Sequence, residues 1–336
     1  MKNLINIAII SCLLLIIHAC CKEKLAPMPI EPAKDDCKAM YDTRSKPYIN
    51  PYTGTLITGG FYFSFKYLDK YQYWYPCMNP NNDFEFCFAR RENGVQLSDD
   101  MDLYKYNFCT GKATLITAHV AYGIDWSVKD WIIFTGTDRQ VWKVKSNGDS
   151  LKVLPFKVGN DAKINWNTSG KLFIRNDKYI CDEEGNLKYT IKNSTALLGW
   201  YDETHILNIY YNSENITKLD VTNNQESIYA PTNGLGFSEY ISKTNEFLGS
   251  TDSLGAELFI KNLIYNATTN KITYLSKYFM QPSYQTNTYA KFGNKILVEQ
   301  QLTDTVTGKI TLRNYRKHIA IMNADGSDIR QIQIPE

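Results

Sequence analysis

Residues 141 to 154 read Val-Trp-Lys-Val-Lys-Ser-Asn-Gly-Asp-Ser-Leu-Lys-Val-Leu, and this stretch decides the fold class. Two runs that alternate apolar and polar residues flank the segment from Ser146 to Asp149, which contains Asn147-Gly148. Asn-Gly readily takes the positive φ angles of a tight hairpin turn, so the stretch predicts two antiparallel strands. One hairpin alone is marginal in water, so further strands must accompany it.

The same hairpin pattern recurs along the chain. Its turn residues step by 37, 37, 39, 46 and 56 positions. A period near 40 with four strands in each unit is typical of a β-propeller. The other copies run from Leu103 to Thr117 around Gly111, Tyr179 to Ile191 around Gly185, Ile216 to Tyr229 around Asn224, Leu258 to Leu275 around Asn270, and His318 to Ile334 around Gly326.

A large aromatic residue recurs between consecutive hairpins. Trp126, Trp166 and Trp200 each end an apolar run before a short polar turn, and Phe237 and Phe292 stand in weaker copies. Rings at one position of a repeat predict packing between neighbouring blades. The sequence therefore predicts an all-β fold, a six-bladed β-propeller of four-stranded antiparallel blades. The expected blades are about 46–117, 118–156, 160–192, 195–231, 235–278 and 284–334.

The segment from Ile319 to Ile332 resembles the repeat of TolB-like, WD-type six-bladed propellers, and Trp126-Ser-Val-Lys-Asp resembles the other half of that unit. The resemblance covers roughly residues 50 to 334. It departs from the family where Pro-Asp-Gly is absent after every Trp. It implies a fold but no activity, since propellers include both binding proteins and unrelated enzymes.

Residues 1–19 resemble a bacterial lipoprotein signal peptide. Leu4 to Ile17 form an apolar run shorter than the ~20 residues of a membrane-spanning helix. The resemblance implies Cys20 as the lipid anchor, with Cys21 or an ordinary secretory signal as alternatives. Residues 20–45 contain three prolines and mixed charges, which predicts a flexible tether before a propeller at 46–336. We expect attachment to a bacterial envelope membrane by the lipid alone, at the outer membrane, on its periplasmic or surface side.

Composition argues against a strongly charged partner. The chain has 37 Lys and Arg against 35 Asp and Glu. Removing the signal takes away only Lys2, which leaves 36 against 35. A chain that is nearly neutral overall produces no strong electrostatic attraction for phosphate groups, so nucleic acid is not an expected partner. The expected partner is an envelope protein, peptide or glycan bound by a monomer.

Export permits disulfides. Cys77 and Cys87 flank a turn-rich segment, which predicts a local disulfide between them. No Cys-x-x-Cys pair occurs, so a thiolate zinc site has little support.

In a four-stranded blade, the loops between blades share one face with the loops between second and third strands, and insertions there usually carry recognition. The longer loops fall on that face. The candidate ligand-binding residues are Arg90, Arg91, His119, Asp138, Arg139, Asn176, Asp177, Arg316 and His318.

Catalytic motifs are missing from the sequence. His119 and His318 map to one face of the predicted propeller and His205 to the opposite face, so these three side chains cannot hold one metal ion. No Gly-x-Ser-x-Gly or His-Glu-x-x-His segment occurs. We therefore expect no catalytic residue, metal or cofactor, and a binding module rather than an enzyme. The alternatives are a polysaccharide lyase or hydrolase that uses the same face, and a purely architectural lipoprotein. Two ways of closing the ring remain open. The last blade is completed either by a strand from residues 47 to 58 or by the C-terminal segment Ile329 to Ile334 alone.

Overall fold

The computed structural model describes residues 37, 44–47, 70–92, 100–159, 163–192, 196–210, 213–241, 245–251, 261–274, 289–290, 295–302, 316–323, 328 and 330–335. All of these belong to a compact unit that spans Lys34–Glu336. Calls on Cys20, Cys21, Phe292 and Gly326 lie outside the described residues.

The described elements are β-strands. They are β1 (Ser45–Pro47), β2 (Tyr71–Met78), β3 (Glu85–Glu92), β4 (Met101–Asn107), β5 (Lys112–Trp126), β6 (Trp131–Gly136), β7 (Gln140–Lys145), β8 (Lys152–Lys157), β9 (Ile164–Trp166), β10 (Leu172–Arg175), β11 (Tyr179–Asp182), β12 (Leu187–Thr190), β13 (Ala196–Trp200), β14 (His205–Ile209), β15 (Asn215–Asp220), β16 (Gln225–Pro231), β17 (Gly236–Ile241), β18 (Glu246–Thr251), β19 (Lys261–Asn266), β20 (Lys271–Tyr274), β21 (Tyr289–Ala290), β22 (Lys295–Leu302), β23 (Arg316–Asn323) and β24 (Arg330–Ile332).

The predicted hairpins are present as antiparallel pairs. β4–β5, β7–β8, β11–β12, β15–β16, β19–β20 and β23–β24 all pair in this way. The turn residues at 111, 148, 185, 224 and 270 all have positive φ, between 54° and 88°. Asn and Gly tolerate this left-handed conformation best, which is why the turn residues marked the repeats so clearly.

The strands form an all-β protein with a β-propeller arrangement. β9–β12, β13–β16 and β17–β20 each form a four-stranded sheet in which neighbours in sequence are neighbours in space. The first strands lie beside one another: β2 by β5, β5 by β9, β9 by β13, and β13 by β17. The sheets therefore fan out from their first strands.

The prediction of six separate four-stranded sheets is wrong. The described strands form five sheets, because β2 to β8 make one sheet of seven strands. β5 is 15 residues long; its first half pairs with β4 and its second half with β6. His119 was expected in a loop between two blades, but it lies inside this continuous strand with a φ of 63°.

The aromatic repeat packs as predicted, with one change of residue. Trp126, Trp166 and Trp200 are buried. Each lies opposite an apolar residue of its second strand, and in β17 the residue at that register is Tyr240, opposite Phe247. Phe237 is buried at a different register, because a bulge follows it in the strand.

Residues 37 and 44–47 contact both the last described strand and the segment that follows β4. β1 pairs with β24 as the fifth strand of the last sheet. The Arg44 backbone oxygen accepts from Gln333 N at 2.8 Å, and the Arg44 Nε donates to Phe108 O at 3.0 Å. Cys37 forms a disulfide with Cys109. Cys37 and Arg44 lie in the range predicted as a tether, so that range is attached to the fold at these residues.

The predicted Cys77–Cys87 disulfide is absent: both thiols are buried and free. They lie opposite each other on β2 and β3. The Cys77 Sγ instead donates to Asp125 Oδ1, 3.5 Å away. The disulfide that does form joins residues 72 positions apart, which loop spacing alone did not indicate. Among the described residues, no helix is long and apolar enough to cross a membrane.

Replacing Cys37 and Cys109 by serine should lower the free energy of unfolding. The disulfide constrains the unfolded chain across 72 positions, so we expect a loss of about 2 to 4 kcal/mol. Guanidinium unfolding, followed by tryptophan fluorescence, measures the change. Substitution of the free Cys181 by serine, which breaks no crosslink, is the matched control for a buried thiol. Equal stability of the double variant and the parent would contradict the prediction.

Candidate functional site

Backbone hydrogen bonds define one face of the fold. Thr137 N, between the second and third strands of its repeat, donates to His119 O at 3.1 Å. Similar bonds join Ile191 N to Lys178 O at 2.8 Å and Thr232 N to the Glu214 carbonyl at 2.7 Å. The ends of outer strands and the turns between second and third strands therefore lie together. We call this surface the loop-rich face.

Arg90 lies near the end of β3 on this face, between two tyrosine rings. Its Cζ is 4.2 Å from the Tyr71 ring centre and 3.9 Å from the Tyr104 ring centre. One guanidinium nitrogen, Nη2, donates to the Tyr104 hydroxyl. Arg91 points to the other side of the strand, with its Cζ 5.4 Å from the Trp74 ring centre. Stacking of this kind holds a guanidinium in one orientation.

His119 joins the Arg90 region through two carboxyls. The exposed His119 Nδ1 lies 3.1 Å from Asp100 Oδ1. Asp102 is the register partner of Arg90. Partial burial raises the pKa of Asp102, Arg90 and His119 act to lower it, and Asp100 raises it. The structure thus brings two predicted residues, Arg90 and His119, around one carboxyl.

Asp138 and Arg139 form the exposed turn between β6 and β7. The Asp138 carboxylate accepts from Gln140 N at 2.9 Å. Arg139 has a φ of 64°, and its carbonyl accepts from Val158 N at 3.0 Å. Both residues shape the turn with their backbones, and the Arg139 side chain extends from an exposed position.

Asn176 and Asp177 form the turn between β10 and β11, each with a φ of 51°. Their Oδ1 atoms and the Nε of the preceding Arg175 are buried, and none of these three atoms has a hydrogen-bond partner among the described residues. Burial raises the pKa of Asp177, while nearby Lys163 acts to lower it. These predicted residues are therefore partly inside the fold. Arg316 and His318 lie on β23, opposite Leu302 and Gln300, and their side chains fall outside the described part of the chain.

Sequence reasoning missed a buried polar group on the first strands. Asp125, Asn165, Gly199 and Glu239 each precede the repeat aromatic and occupy the same register. Asp125, Asn165 and Glu239 are completely buried. A polar residue before three of these four aromatics was visible in the sequence, but the aromatic alone was interpreted. We call Asp125, Lys163 and Glu239 the axial cluster, because they lie where first strands meet.

Asp125 connects three repeats. Its Oδ1 accepts from the adjacent Trp126 N at 2.9 Å and from the Cys77 thiol of β2. Its Oδ2 accepts from Trp166 N of β9 at 2.6 Å. The Asp125 carboxyl thus accepts hydrogen bonds from two backbone amides and one thiol.

Lys163 and Glu239 differ in how many of their polar atoms make hydrogen bonds. The Lys163 ammonium donates to the Leu197 carbonyl at 3.2 Å and to Leu198 O at 3.5 Å. Burial lowers the pKa of Lys163, and Glu239, Asp177 and Asp125 act to raise it. Both carboxyl oxygens of Glu239 lack a hydrogen-bond partner among the described residues. Burial raises the pKa of Glu239 well above its ordinary value, against the pull of Lys163.

The axial cluster and the loop-rich face therefore differ in what they can do. The axial cluster is buried and cross-links strands, whereas Arg90, His119 and Arg139 present charge at accessible positions. His205 opens β14 on the opposite face and is held by Asp202, with Nδ1 2.9 Å from Oδ1. Within the described part of the chain, no group of three or more His, Cys, Asp or Glu side chains is placed to hold a metal ion.

Comparisons with known proteins give a fold likeness only. No protein-family model and no curated protein matches the chain. Similar solved structures include the β-propeller domain of the trilobed protease from Pyrococcus furiosus, at 10% identity and a TM-score of 0.48, covering 79% of this chain and 84% of that one.

TolB from Acinetobacter baumannii matches at 14% identity and a TM-score of 0.34, covering 78% of this chain and 63% of that one. An oligogalacturonate lyase from Vibrio parahaemolyticus matches at 9% identity and a TM-score of 0.43, covering 87% and 97%. Identities this low give no basis for transferring an activity, so function must be argued from the residues.

Replacing Glu239 by glutamine should flatten the dependence of stability on pH. The pKa of Glu239 is raised by burial, so the folded protein keeps this proton to higher pH than the unfolded chain does. The free energy of unfolding of the parent should therefore fall as pH rises from about 5 to about 8, by at most about 1.4 kcal/mol per pH unit for this one proton. Glutamine removes that titration and keeps the side-chain volume.

Urea unfolding at several pH values measures the slope. Asp177 titrates in the same direction, so part of the slope should persist in Glu239→Gln. The exposed Glu92→Gln is the control and should keep the parent slope. A Glu239→Gln variant with the same slope as the parent would show that the folded protein does not hold this proton longer than the unfolded chain does, which would contradict the prediction.

Proposed function

We propose that this protein is a lipid-anchored binding module of a bacterial envelope, which binds a protein, peptide or glycan partner at its loop-rich face. One observation carries the proposal: on that face Arg90 is held between two tyrosine rings opposite Asp102, and His119 lies beside Asp100. Charged groups held in place beside aromatic rings are typical of recognition surfaces.

We also propose that the ring has six blades, with the seven-stranded sheet counted as two. Six buried clusters among the described residues support this count. One cluster packs Cys87 and Leu103 from the first half of that sheet against Ile132 and Val144 from its second half. The other clusters join β6–β8 with β9–β11, then the following pairs of sheets in order, and finally β22–β24 with β2–β4.

The envelope location rests on the sequence of residues 1–20. An apolar run that ends before Cys20 supports lipid attachment at that thiol. Cys37 and Arg44 then bring the following segment to the fold. The enzymatic alternative, a polysaccharide lyase or hydrolase, lacks a supporting observation among the described residues, and the buried carboxyls of Asp125 and Glu239 act within the fold.

Replacement of Cys20 by serine should abolish lipid labelling. A serine hydroxyl cannot replace the thiol in the thioether bond that the acyl group requires. Cells that express each form are fed a radiolabelled fatty acid, and the purified protein is counted. Cys21→Ser is the matched control, and it should keep the label. Loss of label in Cys21→Ser, with retention in Cys20→Ser, would move the anchor by one residue.

Alanine at Arg90, Arg91, Asp138, Arg139 and Arg316 together should remove partner capture. These substitutions take away the charged groups of the loop-rich face and leave the axial cluster intact. The measurement is photocrosslinking in intact cells, with a crosslinker at Thr137, followed by identification of the adduct.

A variant with alanine at Lys112, Lys171 and Lys271 changes three exposed residues beside turns of the opposite face, and it should still form the adduct. Circular dichroism shows that each variant folds. The same adduct in the five-residue variant as in the parent would exclude the loop-rich face as the binding surface.

A further inference from the structure

Arg90 stands out among the candidate residues because most of its N–H groups make no hydrogen bond within the described part of the chain. Only its Nη2 donates, to the Tyr104 hydroxyl. Its Cζ lies 4.2 and 3.9 Å from the centres of the two flanking tyrosine rings. Its other N–H groups have no hydrogen-bond or ion-pair partner within the described part of the chain, although Arg90 is partly exposed. A guanidinium presents parallel N–H groups in a rigid fork, so this one is oriented and still able to donate.

The fold itself supplies a comparison. Arg175 ends the second strand of its own sheet, as Arg90 lies near the end of β3, and it also stacks on two rings. Its Cζ is 4.2 Å from the Phe156 ring centre and 4.7 Å from the Tyr179 ring centre. The Nε of Arg175 is buried, however, which removes that donor from any ligand in solvent. The two stacked arginines are both partly exposed, and they differ in that the Nε of Arg175 is buried.

The charges around Arg90 restrict what it can bind. Asp102 faces it across β3 and β4, the exposed Glu92 follows it on the same strand, and Asp100 lies beside His119. A dianion such as phosphate would meet these three carboxyls with twice the charge of a carboxylate. A single carboxylate matches the fork with two parallel hydrogen bonds and half the repulsion.

We propose that Arg90 is a carboxylate-binding site, in which its free N–H groups form a bidentate pair with an acidic group of the partner. This inference rests on the proposed function, since it names the group that the loop-rich face would recognise. The carboxylate can belong to an acidic amino acid or to a sugar acid, because both offer the same planar pair of oxygens. The experiment below separates these two sources.

Ligand-observed saturation-transfer NMR on the purified protein measures the affinity for N-acetylglutamate and for glucuronate. Inorganic phosphate and glucose are the comparison ligands, for charge and for ring shape respectively. We expect both carboxylates to bind more tightly than either comparison ligand. The carboxylate with the higher affinity identifies the source.

Two matched variants test the residue. Arg90→Lys keeps the positive charge and removes the fork, so it should weaken carboxylate binding about tenfold. Arg175→Lys makes the same chemical change at the comparison residue, whose Nε is buried, and it should leave the affinity unchanged. Thermal unfolding by near-ultraviolet circular dichroism shows whether both variants keep the packed fold.

Three results would overturn the proposal: no carboxylate binding, tighter binding of phosphate than of both carboxylates, or equal affinity in Arg90→Lys and the parent. The photocrosslinking result separates these failures from failure of the proposed function. Adduct formation that still depends on the loop-rich face, in the absence of carboxylate binding, would leave the binding module in place and remove only the carboxylate as its ligand group.

Discussion

The Asp125 carboxylate is the interaction on which the centre of the fold depends. First strands of a propeller pair with a second strand on one side only, so their other edge carries unpaired amide groups in the interior. Asp125 accepts from the amides of Trp126 and Trp166, which belong to two successive repeats, and from the Cys77 thiol of a third. A single side chain thereby supplies acceptors for amides of two neighbouring first strands. A buried amide left without one costs about 1 to 3 kcal/mol.

The same position in the next repeats shows how the chain accommodates variation. Gly199 has no side chain at this register, and the Lys163 ammonium donates to the carbonyls of the two residues before it. The two carboxyl oxygens of Glu239, one repeat further, have no hydrogen-bond partner within the described part of the chain, and burial raises the pKa of Glu239. Equivalent positions thus carry a hydrogen-bonded acid at Asp125, an amide at Asn165, no side chain at Gly199 and an acid with a raised pKa at Glu239. The strand register is the same at this position of each repeat, but the side chain that meets the local hydrogen-bonding groups differs.

The sequence predicted the hairpins well because the determining signal was local. Positive φ at Gly148 or Asn224 is a property of the turn itself, so a single residue type reveals it. The continuous β5 and the Cys37–Cys109 disulfide could not be found in this way. Strand continuity depends on how two units pack, and disulfide pairing depends on which distant segments meet. The axial cluster was also missed, because its polar residues acquire meaning only when neighbouring first strands lie side by side.

The predicted site residues also differ in a way that local sequence did not reveal, because some turn their polar atoms into the fold and others do not. Asn176 and Asp177 were selected as loop residues, yet the turn directs their oxygens inward, towards a side of the fold that also holds Lys163. Arg90 was selected on the same grounds and presents its donors outward, because the rings of Tyr71 and Tyr104 fix its plane near the end of β3. Sequence position places a residue on a face of the fold. The neighbours of its side chain decide whether its polar group is buried inside the protein or exposed to a binding partner. At Arg90 those neighbours orient the guanidinium and leave N–H groups that make no hydrogen bond within the described part of the chain, which is the condition that a recognition residue must meet.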